Sequence, residues 1–466
     1  MKLAVYTDYV YRRIDGVLYA DRAFALFLAA LASHVEHVVL IGRLAPSGDA
    51  HYPLPPELEL APLQHYGSLA NPAAALWSLV GSLRQMWRAL DEVDTLWVLG
   101  PYPHAIVLAV LARARGRAVV LGVRQNWPQY VRMRRPGRKW MHRAADLLEG
   151  IWRALARRLP VVAVGAELSA QYAHAPSLLE LTVSLMPAAA MAHSPTLRDY
   201  SSELRVLSVG RLDQEKNPLL LADTLALLHD AEPRWRLLVV GEGDLAGSLS
   251  QRLQELNLAD RAELLGYVPM GESLLELYRS SHALLHVSWT EGFPQVLIEA
   301  FASHLPIVAT AVGGVPAGVA GAALLIPAGD ARAAADALLR IASEEDLRGQ
   351  LTRAGLQRAR GLTLEAQTAR VASFLVTEGQ RARTLSPVSW ARWRSSLSDR
   401  RTLLGRLSRT ARRTESLYAK LARAPLLRRP AVLRGVRAAK SVRRRTYEWR
   451  GSDPAGSRCL RRSGDL

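Results

Sequence analysis

Two carboxylates, Glu291 and Glu299, stand with seven residues between them in the run WTEGFPQVLIEAF, residues 289–301. An ionised carboxylate is an acceptor only, and one such group can hold two hydroxyls. A pair at this spacing therefore suits a polyhydroxylated ligand such as a sugar or a ribose. The competing reading of Glu291 is an acidic residue beside a helix N-terminus, where the helix dipole favours it. That reading accounts for Glu291 and leaves the rest of the run unexplained.

The elements around the pair say where it must lie. Residues 283–287, ALLHV, are apolar and read as a buried strand. Gly292 and Pro294 break that strand and open a helix, with proline near the first turn. Glu291 then falls where a strand ends, at the mouth of a parallel sheet, and Glu299 lies about two turns into the helix. Ligands of doubly wound sheets bind at that edge.

More apolar runs repeat the pattern on both sides. Residues 3–7, 37–42, 95–100, 118–122 and 161–165 read as buried parallel strands, with helical spacing over 20–31 and 104–114 between them. A second series follows at 205–210, 236–241, 262–266, 283–287, 306–310 and 323–327. The stretch 191–200, with Ser194-Pro195, reads as a linker, and residues 365–375 as the last packed helix. The chain is thus α/β, with two doubly wound domains. The boundaries are 1–195 for an N-terminal domain, 196–380 for a second domain that carries the carboxylates, and 381–466 for a tail.

The window around Glu291 and Glu299 resembles the EX7E signature of retaining glycosyltransferases of the GT-B fold, the large family 4. LSVGRLDQEKNP (207–218), LVVGEGD (238–244), LGYV (265–268), Leu277-Tyr278, PIVATAVGGVP (306–316) and the stretch 321–330 follow in the family's order. The similarity is close over roughly residues 200 to 375 and loose over residues 1 to 195. It implies two Rossmann-like domains facing across a cleft, acceptor on the N-terminal side and nucleotide-sugar donor on the other.

On this resemblance Arg211 and Lys216 hold the donor diphosphate, and positioned cations stabilise the charge that develops on it. Glu299 binds the ribose hydroxyls and Glu291 contacts the donor sugar. Gly292, Phe293 and Pro294 present a helix N-terminus to sugar oxygens, and Val268 lies near the base, or with Tyr267 in the core. Gly16 lets backbone approach a phosphate from the first domain, or forms an ordinary turn; the family's paired glycines are replaced there by IDGV. Family members retain anomeric configuration without an obvious nucleophile, which implies front-face displacement aided by the leaving phosphate. No Asp-x-Asp occurs in the chain, so no metal site, and no cofactor beyond a UDP- or GDP-sugar substrate, is expected.

Two positions depart from the family. A histidine near the donor sugar is replaced by the text VVLGVRQNW (119–127), which puts Arg124 there. Arg124 or His104 would take over its role, and a structural role for His104 before an apolar helix is the alternative. Ala317 stands where the family commonly has Glu after the Gly-Gly-x-Pro turn.

Composition bounds the rest. At 466 residues and 49% hydrophobic, the chain can close two or three cores. The single cysteine, Cys459, leaves no internal disulfide and suits a reducing compartment. The most apolar long stretch, 24–42, is interrupted by His34, Glu36 and His37, and the N-terminus starts as a strand without a signal-peptide profile. The net charge is +18, and residues 381–466 carry 24 basic and 5 acidic side chains against 36 and 37 elsewhere. In that tail Trp390, Trp393, Leu397 and Leu404 form one helical stripe, the mark of an interfacial helix.

Within the body, residues 124–158 hold ten Lys or Arg against Asp146 and Glu149, interleaved with Trp127, Tyr130, Trp140 and Trp152. That mix suits an anionic membrane surface, and a solvated loop followed by a core-packed helix at 144–157 is the alternative. Nucleic-acid binding lacks any accompanying motif. The expectation is a cytoplasmic enzyme, peripheral on the inner face of the plasma membrane, moving a hexose to a lipid-linked or polysaccharide acceptor. A nucleotide-sugar epimerase of the same architecture and a non-catalytic sugar-nucleotide-binding scaffold are the other readings.

Overall fold

The computed structural model describes residues 1–48, 50–192 and 198–384. The basic tail from residue 385, with its tryptophan stripe, and the centre of the segment read as a linker lie outside them.

The first half contains β1 (Lys2–Ile14), β2 (Val17–Ala20), α1 (Phe24–Ala32), β3 (His37–Leu44), β4 (Tyr52–Pro53), β5 (Leu58–Gln64), α2 (Pro72–Ala89), β6 (Thr95–Gly100), α3 (Pro103–Ala114), β7 (Ala118–Val123), α4 (Trp127–Arg134), α5 (Lys139–Ala156), β8 (Val161–Val164), α6 (Ala166–Gln171) and β9 (Leu178–Leu181). Seven of these strands pair in parallel in the order β5–β3–β1–β6–β7–β8–β9. Side chains alternate faces along each strand, so a sheet covered on both sides needs apolar residues at every position. In β6, Trp97 and Leu99 pack with α1 on one face, and Leu96 and Val98 pack with α2, α3 and α5 on the other.

The second half contains β10 (Leu204–Val209), α7 (Leu219–Ala231), β11 (Trp235–Val240), α8 (Ala246–Glu255), β12 (Ala262–Leu264), α9 (Glu272–Ser280), β13 (Ala283–His286), α10 (Gln295–Ala302), β14 (Ile307–Thr310), α11 (Val315–Val319), β15 (Leu324–Ile326), α12 (Ala331–Ser343), α13 (Glu345–Arg360) and α14 (Leu364–Thr384). Its six strands are all parallel, in the order β12–β11–β10–β13–β14–β15. The order reverses at β10 and β13, and ligands of such sheets bind outside the strand ends at that point. Helices α7, α8 and α12 pack on one face, and α9, α10 and α11 on the other.

Three expectations are corrected. Helix α14, grouped with the second domain, packs back on the first: Val371, Ala372 and Leu375 are buried with Leu3, Leu28 and Trp97. The chain crosses between domains twice, and the crossings touch where the Leu364 N–H donates to the Met186 carbonyl at 2.8 Å. Gly16 is at the tip of a hairpin rather than at a phosphate loop. Strand β1 runs on beyond its parallel pairing with β3 to Ile14, where it pairs antiparallel with β2 in the same sheet, and Asp15 (φ 48°) and Gly16 (φ 82°) make the two-residue turn that pairs Ile14 with Val17. The aromatic and basic mix of 124–158 also divides: Trp152 is fully buried, while Trp140 stays exposed. Among the described residues no helix is long and apolar enough to cross a membrane.

Candidate active site

Glu291 follows β13 and is shaped by its neighbours on three sides. The Lys216 ammonium donates to its Oε1, Ser288 Oγ donates to the same oxygen at 2.7 Å, and His286 Nε2 lies 3.1 Å away. Burial pushes the carboxyl up, but the His286 imidazole and the Lys216 charge outweigh it and hold it down at about 2. Glu291 is therefore an anion at any working pH. The segment behind it is fixed by a glycine turn: a Cβ on Gly313 (φ 51°) would sit 1.8 Å from the Glu291 carbonyl oxygen. Only glycine lets β14's following loop pass so close.

Arg211 leaves the end of β10 and donates to both Asp213 and Glu215, whose side chains are nearly enclosed. Two carboxylates thus hold the guanidinium at the strand end. From the first domain, Arg134 on α4 reaches Asp213 at 3.5 Å, and the Tyr130 ring lies 5.9 Å from the Arg211 guanidinium carbon.

Two adjoining cavities open between the domains, and a third, of about 580 Å³, lies beside them, lined by Gly165, Glu180, Gly292, Phe293 and Ala317 among others. Of the adjoining pair, one of about 270 Å³ is lined by Arg124, Asn126, Tyr130, Arg211, Lys216, Glu291, Gly292 and Phe293, among others. The other, of about 700 Å³, is lined by Arg22, Phe24, His51, Arg124, Arg211, Glu242, Tyr267 and Val268, among others. Arg124, Arg211 and Gln295 border both, so the cavities adjoin around these three residues. The smaller is rich in charge and amide groups; the larger adds aromatic rings and valines.

The structure thus brings Arg211, Lys216, Glu291, Gly292, Phe293, Arg124 and Val268 to one cleft. Pro294 is the buried cap residue before α10. Glu299 is drawn beneath it: its side chain is 5% exposed, and Tyr278, fully buried, donates to Oε2 at 2.7 Å. Burial raises the Glu299 carboxyl to about 7. Neither cavity counts Glu299 among its lining residues.

His104 is a core residue and leaves the candidate site. It is fully buried, stacks on Tyr66 at 5.2 Å and meets Ser78 Oγ at 3.2 Å. Burial lowers it to about 4, so it stays neutral. Arg124 does reach the cleft. Its guanidinium lies 3.9 Å over the Phe24 ring, its Nε is enclosed without a partner, and burial lowers it to about 10. Ala317 lines neither of the two adjoining cavities but borders the third, with Gly292 and Phe293; its carbonyl accepts from Arg358 at 2.7 Å.

His286, Ser288, Asp213 and Tyr130 were not singled out by sequence for this site. His286 and Ser288 sit inside or just after an apolar strand, where a histidine or serine ordinarily reads as core. Their offsets of five and three residues from Glu291 were the available signal.

Residues 193–358 fit the profile of the family described as Glycosyl transferases group 1. The amylovoran biosynthesis glycosyltransferase AmsD of Erwinia amylovora is 38% identical over 105 residues, 22% of this chain and 28% of that protein. The D-inositol 3-phosphate glycosyltransferase of Actinosynnema mirum is 36% identical over 182 residues, 37% of this chain and 43% of that protein. The chain therefore spans less than half the length of the curated relatives it matches. Two solved structures share the fold over most of both chains. WaaG, a glycosyltransferase involved in lipopolysaccharide biosynthesis, superposes with a TM-score of 0.60 at 15% identity, covering 80% of this chain and 99% of its own. HepE of Anabaena, in complex with UDP, gives 0.57 at 17% identity, covering 81% and 100%.

Proposed function

Because residues 193–358 carry a domain of the glycosyl transferases group 1 family, we propose that this protein is a retaining glycosyltransferase. It would move a hexose from a UDP- or GDP-sugar to a lipid-linked or polysaccharide acceptor. The observation that carries the reading is the convergence of Arg211, Lys216 and Glu291 on one interdomain cavity, opposite Arg124.

Each part of the donor has a partner of the right chemistry. The diphosphate takes Arg211 and Lys216, which exchange their present carboxylate partners for phosphate oxygens. Glu291, held ionised, accepts hydroxyls of the sugar. The base lies toward Val268 and Tyr267, in the larger cavity. Glu299 serves the ribose through Oε1, since Tyr278 occupies Oε2. Gly292 and Phe293 line the sugar side ahead of the α10 N-terminus, whose first N–H groups lack helical partners.

In the reaction the bond from the sugar C1 to the diphosphate oxygen breaks as negative charge grows on the leaving group. Arg211 and Lys216 stabilise that charge, in the place a metal takes elsewhere. The acceptor hydroxyl attacks from the same face, and its proton passes to a leaving phosphate oxygen. Arg124 adds a cation from the acceptor side and takes the place of the family's histidine. The enzyme works at an anionic membrane surface, a reading supported by the basic tail.

The experiment is product analysis with nucleotide-sugar donors. Release of nucleoside diphosphate, lost in Lys216→Ala, supports transfer; conversion of one sugar nucleotide into its epimer with no cleavage supports the epimerase reading instead.

A further inference from the structure

Helix α2 is inside out. It begins cleanly, with Asn71 capping the Ala74 N–H at 3.1 Å and proline at the first position. Its buried face then carries Ala75, Ser78, Ser82 and Met86. The two serines are tied to β5: Ser78 Oγ donates to the Gln64 carbonyl at 2.5 Å, and the Gln64 N–H donates to Ser82 Oγ at 3.0 Å. The outer face carries Leu76, Trp77, Val80, Leu83 and Trp87, with Trp77 68% exposed. A helix on a soluble surface places its large apolar residues inward.

Helix α5 buries Trp152 on its inner face and still leaves large apolar side chains outside. Its outer side shows Trp140, Leu147 and Ile151, with Leu147 65% exposed. Helices α2, α3 and α5 pack into one core cluster on the same face of the first sheet, and α3 touches both of the others. Eight of the thirteen large apolar side chains exposed among the described residues belong to α2 and α5. Clusters of this kind on two helices flanking α3, beyond scattered single residues, mark an interaction surface.

The charge around the patch selects the occupant. Helix α2 has Arg84 and Arg88 and no acidic residue. Arg135, Arg138, Lys139 and Arg143 cluster at the start of α5, all exposed. Three of the nearby carboxylates are engaged: Asp146 holds Arg132 at 2.6 Å, Glu149 accepts from Tyr172 at 2.6 Å, and Asp91, just past α2, pairs with Arg115. A second copy of this chain would bring the same positive rim against itself. Apolar side chains with tryptophans, rimmed by Arg and Lys, match the boundary between anionic headgroups and acyl chains.

We propose that the outer face of α2 and α5 is a membrane-docking surface that seats the N-terminal domain on an anionic lipid bilayer. It inserts the two tryptophan-bearing stripes shallowly, with the arginine rim on the headgroups. The inference stands on this surface alone and does not depend on the transferase reading, because binding is read without activity.

The test is co-sedimentation of the full chain with vesicles of phosphatidylcholine alone and with one third phosphatidylglycerol, at low and high salt. The wild type binds the anionic vesicles and keeps part of that binding at high salt, where charge is screened and apolar contact remains. The variant Trp77→Ser/Val80→Ser/Trp140→Ser loses at least about tenfold of the high-salt binding, given the apolar area removed, while its thermal melt is unchanged because these side chains are exposed. Arg138→Glu/Lys139→Glu weakens binding mainly at low salt. Equal high-salt binding by the triple variant and the wild type overturns the proposal. So does a wild type that ignores vesicles and sediments as a dimer that the triple variant disrupts, which would assign the face to a second copy.

Discussion

Lys216 and Glu291, 75 residues apart in sequence, close an ion pair between the loop after β10 and the loop after β13. These are the two strands at which the sheet order reverses. Each residue is thereby held at the cleft before any ligand arrives, and each must give up its partner when a donor binds.

The cations carry the leaving group in this account. Arg211→Ala and Lys216→Ala should each lower kcat by on the order of 10²-fold, because the lost contact strengthens as the diphosphate leaves. Steady-state kinetics with the preferred donor measures this. Activity should survive EDTA; complete loss with chelator and rescue by Mn²⁺ contradicts the metal-free mechanism.

The two carboxylates should separate by binding measurements. Glu299→Gln weakens the affinity for nucleoside diphosphate itself, since the ribose is common to product and donor. Glu291→Gln leaves that affinity nearly unchanged and lowers turnover. Calorimetry that finds equal losses in both variants would overturn this division of roles.

The fold was legible because burial on both sheet faces demands unbroken apolar strands, as in residues 95–100 and 283–287. The strand ends, and so the positions of Arg211, Lys216 and Glu291, followed from that. What stayed hidden depends on contacts distant in sequence. Helix α14 has an apolar stripe that fits either sheet, and only packing with Leu3 and Leu28 shows which. His104 stands in the first turn of α3, at the end of a strand–loop connection where ligand-facing histidines also occur, and its burial against Tyr66 decides otherwise. Gly16 lies after a strand that the sequence ends at Thr7 and the fold extends to Ile14. The two faces of α2 were legible in the sequence, since one carries large apolar residues and the other small residues and serines. Which side faces inward is set by the hydrogen bonds to Gln64.

Glu299 gives a pH signature of the ligand-free protein. Its folded value near 7 is above the usual value of 4.5, so the folded state holds the proton more tightly than the unfolded chain. Its contribution is therefore fully present below about pH 4.5, falls as the pH rises toward 7, and changes little beyond. The slope in that window reaches about 1.4 kcal/mol per pH unit. Thermal or urea denaturation from pH 4.5 to 8 should show this decline, and Glu299→Gln should remove most of it. An unchanged slope in the variant would assign the effect to another group.

Truncation after Thr384 should leave a folded body, since α14 completes the first domain's core with residues 371–375. Vesicle binding should lose much of its salt-sensitive part and keep the share due to the arginine rim of α5, because each basic residue near an anionic surface is worth about 1 kcal/mol. Circular dichroism and co-sedimentation check the two halves. A full-length chain that sediments with RNA at moderate salt and ignores anionic vesicles would replace the membrane role of the tail with nucleic-acid binding.

The most direct test incubates the full chain with a panel of UDP- and GDP-sugars, with and without membrane-extracted acceptors, and follows the products by mass spectrometry and NMR. The account predicts cleavage of at least one donor to nucleoside diphosphate, with the anomeric configuration of the donor kept in the released or transferred sugar and with activity abolished in Lys216→Ala/Glu291→Gln. Inverted configuration, epimerised donor with the diphosphate bond intact, or tight donor binding without any turnover would contradict it.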